Sequence, residues 1–196
     1  MKKRTCRVAR TMIALALTAL QSLAQSTYTP YAFTTLAGNA GYGSADGTRS
    51  DARFQQPRSV AVDSTGNVYV ADTENYTIRK VTPEGVVTTL AGLAGESGSA
   101  DGIGSAARFY HPSGVAVDGV GNVYVADTLN QTIRKVTAEG EVTTMAGLAG
   151  NYGSADGTEI SAQFAQPSGV AVDSTGNVYV ADKLNHTIRK VTPAGV

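Results

Sequence analysis

Residues 57–87 read PRSVAVDSTGNVYVADTENYTIRKVTPEGVV. Nearly the same words return as PSGVAVDGVGNVYVADTLNQTIRKVTAEGEV at 112–142 and as PSGVAVDSTGNVYVADKLNHTIRKVTPAGV at 167–196. Phe54, Phe109 and Phe164 recur at a spacing of 55 residues, as do Asp46, Asp101 and Asp156, and again Asp72, Asp127 and Asp182. Self-similarity at a fixed period marks a fold built from one supersecondary unit that cannot bury its apolar face alone.

Within each unit the pattern has period two. Val60 and Val62 share one face and Val68 and Val70 another, which reads as two strands joined at Asp63-Ser64-Thr65-Gly66-Asn67. Gly66, Gly121 and Gly176 stand where that turn needs positive φ. A third strand is expected over Thr77 to Thr82, after a turn at Thr73 to Tyr76 in which Asn75 takes the left-handed backbone. A fourth follows over Val86 to Ala91. No segment carries a 3.6-residue period, so helix-pair repeats are excluded. Four antiparallel strands per repeat, then a loop of about twenty residues, describe the blade of an all-β propeller, with Phe54, Phe109 and Phe164 wedged between neighbouring blades.

The stretch PSGVAVDSTGNVYVADKLNHTIRKV resembles the NHL repeat. That resemblance implies a propeller, usually of six blades, of which three repeats are half. The chain departs from the family pattern at Thr77, Thr132 and Thr187, where many members carry Arg. The family and related propellers include a lyase and lactonases, so the resemblance leaves an enzyme with an axial metal as an alternative.

Lys2, Lys3, Arg4, Arg7 and Arg10 precede an uncharged apolar run from Thr11 to Leu20, and Ser22-Leu23-Ala24 offers a small-x-small cleavage site. This is the pattern of a secretory leader, predicted to be cut after Ala24, and it places the mature chain outside the cytoplasm as a secreted or periplasmic protein. Cys6 lies within the leader, so the mature chain has no thiol chemistry. Eleven basic against sixteen acidic residues then remain, a net charge of −5 that disfavours nucleic acid. The expected organisation is a leader at 1–24, an N-terminal segment at 25–38, and blades at 39–92, 93–147 and 148–196. The words FTTLA (Phe33 to Ala37) match VTTLA (Val87 to Ala91) and VTTMA (Val142 to Ala146), so 33–37 reads as a fourth strand with no blade of its own. The third blade lacks its fourth strand. A homodimer in which each copy's 33–37 completes its partner's last blade would make a six-bladed ring. A repeat segment of a larger surface protein is the other reading.

Few residues suggest chemistry. Asp63, Asp118 and Asp173 each open a D-x-x-G-N turn, and one carboxylate per turn is too few for calcium, so they read as turn caps. Asp46, Asp101 and Asp156 in GSADG read first as loop caps and second as the candidate ion loop. The N-x-T patterns at Asn75, Asn130 and Asn185 recur with the turn and are assigned to backbone geometry rather than glycans. His111 and His186 have no partner at metal spacing. Catalysis needs unlike groups converging at one site, whereas near-identical blades supply copies of one group. No catalytic residue, cofactor or metal is therefore expected.

The repeats differ in two places, the turn at 73–76 with its counterparts and the long inter-blade loops. Antiparallel connectivity puts both at one end of every blade, and loops on a rigid scaffold are the usual place for recognition. Glu74, Tyr76, Leu129, Gln131, Leu184 and His186, with Asp46, Asp101 and Asp156, are the candidate binding face. The expected role is a non-catalytic binding or scaffolding module taking a protein or glycan ligand, with no insertion of the mature chain into a membrane.

Overall fold

The computed structural model describes residues 31–193. The expected leader lies outside the described residues. Contacts divide the chain before Thr35, and the unit that follows carries every sheet among the described residues. Its strands are β1 (Gly47–Thr48), β2 (Pro57–Val62), β3 (Val68–Asp72), β4 (Thr77–Val81) and β5 (Val86–Ala91), then β6 (Gly102–Ile103), β7 (Pro112–Val117), β8 (Val123–Asp127), β9 (Thr132–Val136) and β10 (Glu141–Ala146), and last β11 (Pro167–Val172), β12 (Val178–Asp182) and β13 (Thr187–Val191).

They form three antiparallel sheets in the orders β1-β5-β4-β3-β2, β6-β10-β9-β8-β7 and β11-β12-β13. The fold is all-β, of propeller type, with one sheet per repeat. The two-residue strands β1 and β6 were not expected. They come from the long loops and cover the outer edge of each fourth strand, Gly47 opposite Val87 and Gly102 opposite Val142. Residues 31–37 lie in no sheet.

First strands lie beside one another at the centre of the arc. Val115 N–H donates to Ser59 Oγ at 3.2 Å, and Ser113 Oγ donates to the Ser168 carbonyl at 3.0 Å, so β2, β7 and β11 are neighbours. The approach is close enough to require Gly114, because a Cβ there would stand 2.5 Å from the Ser168 carbonyl oxygen.

Between sheets the faces interlock as the spacing of the aromatics predicts. Phe109 is fully buried among Tyr69, Ala71, Ile78 and Ala91 of the first sheet and Val115, Val123 and Val125 of the second. Phe164 does the same between the second and third. The end faces of the arc are apolar and open. Val60 and Val62 at one end and Ile188 at the other are more than half exposed, while Val115, Ile78 and Ile133, their counterparts inside the arc, are buried.

Candidate functional site

One buried network in each repeat holds the variable turn against the long loop. In the first, Asp72 Oδ1 accepts from Gln55 N–H at 2.7 Å, and its Oδ2 accepts from Asn75 Nδ2 at 2.7 Å and Arg79 Nη1 at 2.8 Å. Glu74 N–H donates to the Gln55 carbonyl at 3.1 Å, and Asn75 Nδ2 also reaches the Gly43 carbonyl at 2.7 Å. Arg79 lies with its guanidinium carbon 5.2 Å from the Phe54 ring centroid. Arg134 and Arg189 repeat the arrangement over Phe109 and Phe164.

Burial pushes the Asp72 and Asp127 carboxyls up from the usual carboxylate range, against the pull of their Asn and Arg partners. The variable turn and the long loop are thus bolted to one charged core.

The network also explains several polar residues whose purpose the sequence left open. Asp46 Oδ1 accepts from Arg79 Nη2 at 2.7 Å, and its carboxylate takes the N–H and hydroxyl of Thr89, each at 3.1 Å. Asp101 pairs with Arg134 and Thr144 in the same way. Asp156 pairs with Arg189 and is 95% exposed at its side chain. These three carboxylates are therefore engaged by cations of the chain itself.

Asn75 is not the left-handed residue of its turn. Tyr76, Gln131 and His186 take φ of 58°, 61° and 59°, while each Asn supplies its side-chain amide to the network. The N-x-T recurrence is thus a side-chain requirement, and Asn75 and Asn130 are buried. The Asp63 turn is as expected. Oδ1 accepts from the N–H groups of Thr65 and Asn67, both at 2.9 Å, and Gly66 has φ +86°. Burial raises the Asp63 and Asp118 carboxyls, and the bonds from Asn67 and Thr65, or from Asn122, outweigh it and hold them below the usual range. Asp173 is lowered by its bonds from Asn177 and Thr175.

Three tracts of 28 residues, 54–81, 109–136 and 164–191, match the sequence profile of the NHL repeat. The chain belongs to the NHL-repeat family. NHL repeat-containing protein 2 of Bos taurus is 36% identical over 152 residues, covering 70% of this chain and 21% of that one. The chain thus spans about a fifth of that relative. Among solved structures, a Bacteroides thetaiotaomicron protein of unknown function superposes with TM-score 0.60 at 31% identity, covering 64% of this chain and 32% of that one. An auxiliary nutrient binding protein from Bacteroides ovatus gives TM-score 0.63 at 26% identity, covering 73% and 38%.

On the face where the NHL turns meet the long loops, the candidate residues do not all gather. Tyr76 packs edge-on to Tyr110 and His111, with ring centroids at 6.1 and 5.3 Å, and Tyr110 lies 5.3 Å from His111. Glu74 Oε1 stands 3.3 Å from His111 Nδ1. Leu184 and His186 are exposed on the third repeat. Gln131 is off the surface. It is fully buried, its Oε1 accepting from Gln166 N–H and its Nε2 donating to the Leu129 carbonyl.

Beside the aromatic group lies a recess of about 430 Å³ lined by Arg58, His111, Ser113, Thr128, Leu129, Gln166, Ser168 and Lys183. Of the expected site residues only Leu129 lines it. Arg58 was missed, although the signal is in the opening quotation, where PRS stands against PSG twice.

Among the described residues no group of three or more His, Cys, Asp or Glu is placed to hold a metal ion.

Proposed function

We propose that this NHL propeller is an exported, non-catalytic binding module, and that it takes a saccharide on the face carrying the inter-blade loops. The observation that carries this reading is the aromatic group Tyr76, Tyr110 and His111 at the junction of the first two repeats. At the junction of the second and third repeats the equivalent places hold Gln131, Ala165 and Gln166, so the aromatic group breaks the repeat symmetry at one spot. Partly exposed aromatic rings offer flat apolar faces with polar tips, which suit a sugar ring presenting C–H on one side and hydroxyls on its edge. The Asp72 network holds the turn that carries Tyr76, and Asp127 Oδ1 accepts from Tyr110 N–H at 2.7 Å, so the surface is pre-organised. The resemblance to a nutrient binding protein is consistent with a ligand-holding role.

The test is calorimetric titration of the exported chain with neutral oligosaccharides. Binding that falls about tenfold in Tyr110→Ala supports the reading. Absence of saccharide binding, or turnover of a lactone panel by the purified chain, overturns it.

A second copy is proposed as partner, its residues 33–37 adding a fourth strand beside β13. The supporting observation is Asp156, whose counterparts Asp46 and Asp101 each accept from a Thr of the fourth strand.

A further inference from the structure

The recess next to the aromatic group is built differently from any repeat average. Arg58 stands where the other repeats have Ser113 and Ser168. His111 stands where they have Gln56 and Gln166, and Lys183 where they have Thr73 and Thr128. Each of the three departures replaces a neutral polar residue with a basic one. Each belongs to a different repeat, yet all three line one recess, because β2, β7 and β11 meet at the centre of the arc.

The two permanent cations there, Arg58 and Lys183, face no carboxylate in the lining. No acidic residue lines the recess, and neither Arg58 nor Lys183 has an ion-pair partner among the described residues, whereas Arg79, Arg108, Arg134 and Arg189 all do. His111 has Glu74 as its neighbour outside the recess, at 3.3 Å. Its backbone φ of +52°, immediately before Pro112, is a left-handed conformation uncommon for a residue with a side chain, shared with Gln56 and Gln166.

Like charges gathered in one concavity repel one another, and a bound anion reverses that cost.

We infer that this recess binds an oxyanion, a carboxylate or phosphate group carried by a small ligand, with Arg58 and Lys183 as its principal contacts. The Arg58 guanidinium presents a planar fork that matches two oxygens of either group, and Lys183 adds a mobile point charge. The side-chain amide of Gln166 is the further donor, since the Ser113 and Thr128 hydroxyls are already engaged with each other and with the Ser168 and Pro167 carbonyls. Leu129 forms the apolar part of the wall, and the volume lies within the range of small-molecule sites. Resting on the saccharide reading above, this makes an acidic sugar the natural ligand: its ring lies on Tyr76 and Tyr110 while its carboxylate enters the recess.

The test uses the exported chain with four probes at low salt: inorganic phosphate, citrate, a galacturonate oligomer and a neutral galactose oligomer of equal length. The variants are Arg58→Ser and Lys183→Thr, singly and together. Both import the residue that the sister repeats carry, so the fold tolerates them. The expected result is galacturonate affinity at least tenfold above that of the neutral oligomer, weakening as salt rises. The double variant should lose that preference and keep neutral-sugar binding. Phosphate binding without galacturonate preference would assign the site to phosphate groups. If citrate or phosphate binds through these two residues while no saccharide does, the oxyanion site stands and the saccharide reading fails. If saccharides bind without acidic preference and the double variant changes nothing, the oxyanion site is overturned and the saccharide reading stands. No binding of any charged probe also overturns it.

Discussion

Arg134 donates through Nη1 to Asp127 Oδ2 at 2.9 Å, and neither side chain has any solvent exposure. Nη2 of the same guanidinium reaches Asp101 Oδ1 at 2.6 Å, and two backbone carbonyls, those of Arg108 and Ala100, take further bonds at 3.0 Å. A charge buried this deeply is tolerated because its bonds are nearly complete. Its Nε is the exception, without a hydrogen-bond partner.

Removing that cation strands Asp127. Arg134→Met is expected to destabilise the chain by about 3–5 kcal/mol near pH 8, the cost of an unpaired buried charge. The loss should be smaller near pH 5. Burial already pushes the Asp127 carboxyl up to about 6, and without Arg134 it rises further, so at acid pH the folded form takes a proton and sheds the buried charge. Urea unfolding of both proteins at the two pH values measures this. A penalty that does not depend on pH would show that lost packing, not stranded charge, dominates. Arg189→Met also strands a buried carboxylate, Asp182, but should cost less because the Arg189 side chain is itself partly exposed to water.

The turn aspartates give the opposite dependence. Asp63, Asp118 and Asp173 are held below their ordinary range in the folded chain, so they bind fewer protons folded than unfolded between the two pKa values. Their stabilisation is fully present above the unfolded value, about 4, and is lost as the pH falls through the lowered folded values. Asp118→Ala, which strips the bonds to the Val120 and Asn122 N–H groups, should cost about 1–2 kcal/mol at pH 7 and progressively less below pH 4. Thermal melts from pH 2 to 7 would show the two curves converging at the acid end.

Tyr124 should ionise at the highest pH among the described phenols. Burial pushes it up to about 12, and the Asp118 carboxylate, which accepts from its hydroxyl at 3.2 Å, pushes the same way. Absorbance at about 295 nm during alkaline titration should contain a step that Tyr124→Phe removes and Asp118→Asn moves to lower pH. A Tyr124→Phe curve losing only a step near the ordinary value of about 10 would contradict the geometry.

Much of this architecture is legible in the words of the repeat. Alternation places β2 to β5 close to where they stand, and β5 spans the expected Val86–Ala91. The spacing of Phe54, Phe109 and Phe164 announces the inter-sheet wedges, because an apolar residue fixed within an otherwise polar loop has to bury itself somewhere. What stayed hidden depends on partners far apart in the chain. Asp46 and Arg79 are 33 residues apart and unvarying across the repeats, so nothing in their pattern couples them. Strand β1 is two residues of Gly-Thr with no alternation to read, and only the unpaired outer edge of β5 calls for it. Tyr76 takes the left-handed turn position in place of Asn75 because the Asn amide is needed by Asp72 and the Gly43 carbonyl. The basic recess needs three repeats brought around one centre before Arg58, His111 and Lys183 become neighbours.

The proposed strand exchange supplies the last prediction. Thr89 and Thr144 each donate an N–H and a hydroxyl to the GSADG aspartate of their own repeat. By position in the repeated words, Thr35 is their counterpart, and Asp156 is the aspartate that lacks such a donor among the described residues. The strand beside which it would sit, β13, is paired on one side by β12, and the groove along its other side is lined by Asp156, Phe164, Ile188 and Lys190. The end faces at Val60, Val62 and Ile188 are of the apolar kind that the arc buries elsewhere, so two copies would cover both. Leu36 already occupies the place of a fourth-strand residue against the first repeat. Its carbonyl stands against Gly85 as the Leu90 carbonyl stands against Gly140. Light scattering on residues 25–196 should give twice the chain mass. Thr35→Val, which removes the hydroxyl donor without changing shape, should weaken the dimer several-fold, and Asp156→Ala should do the same from the other side. Deletion of residues 31–38 should leave monomers or aggregates, and a stable dimer that survives the deletion would rule the exchange out.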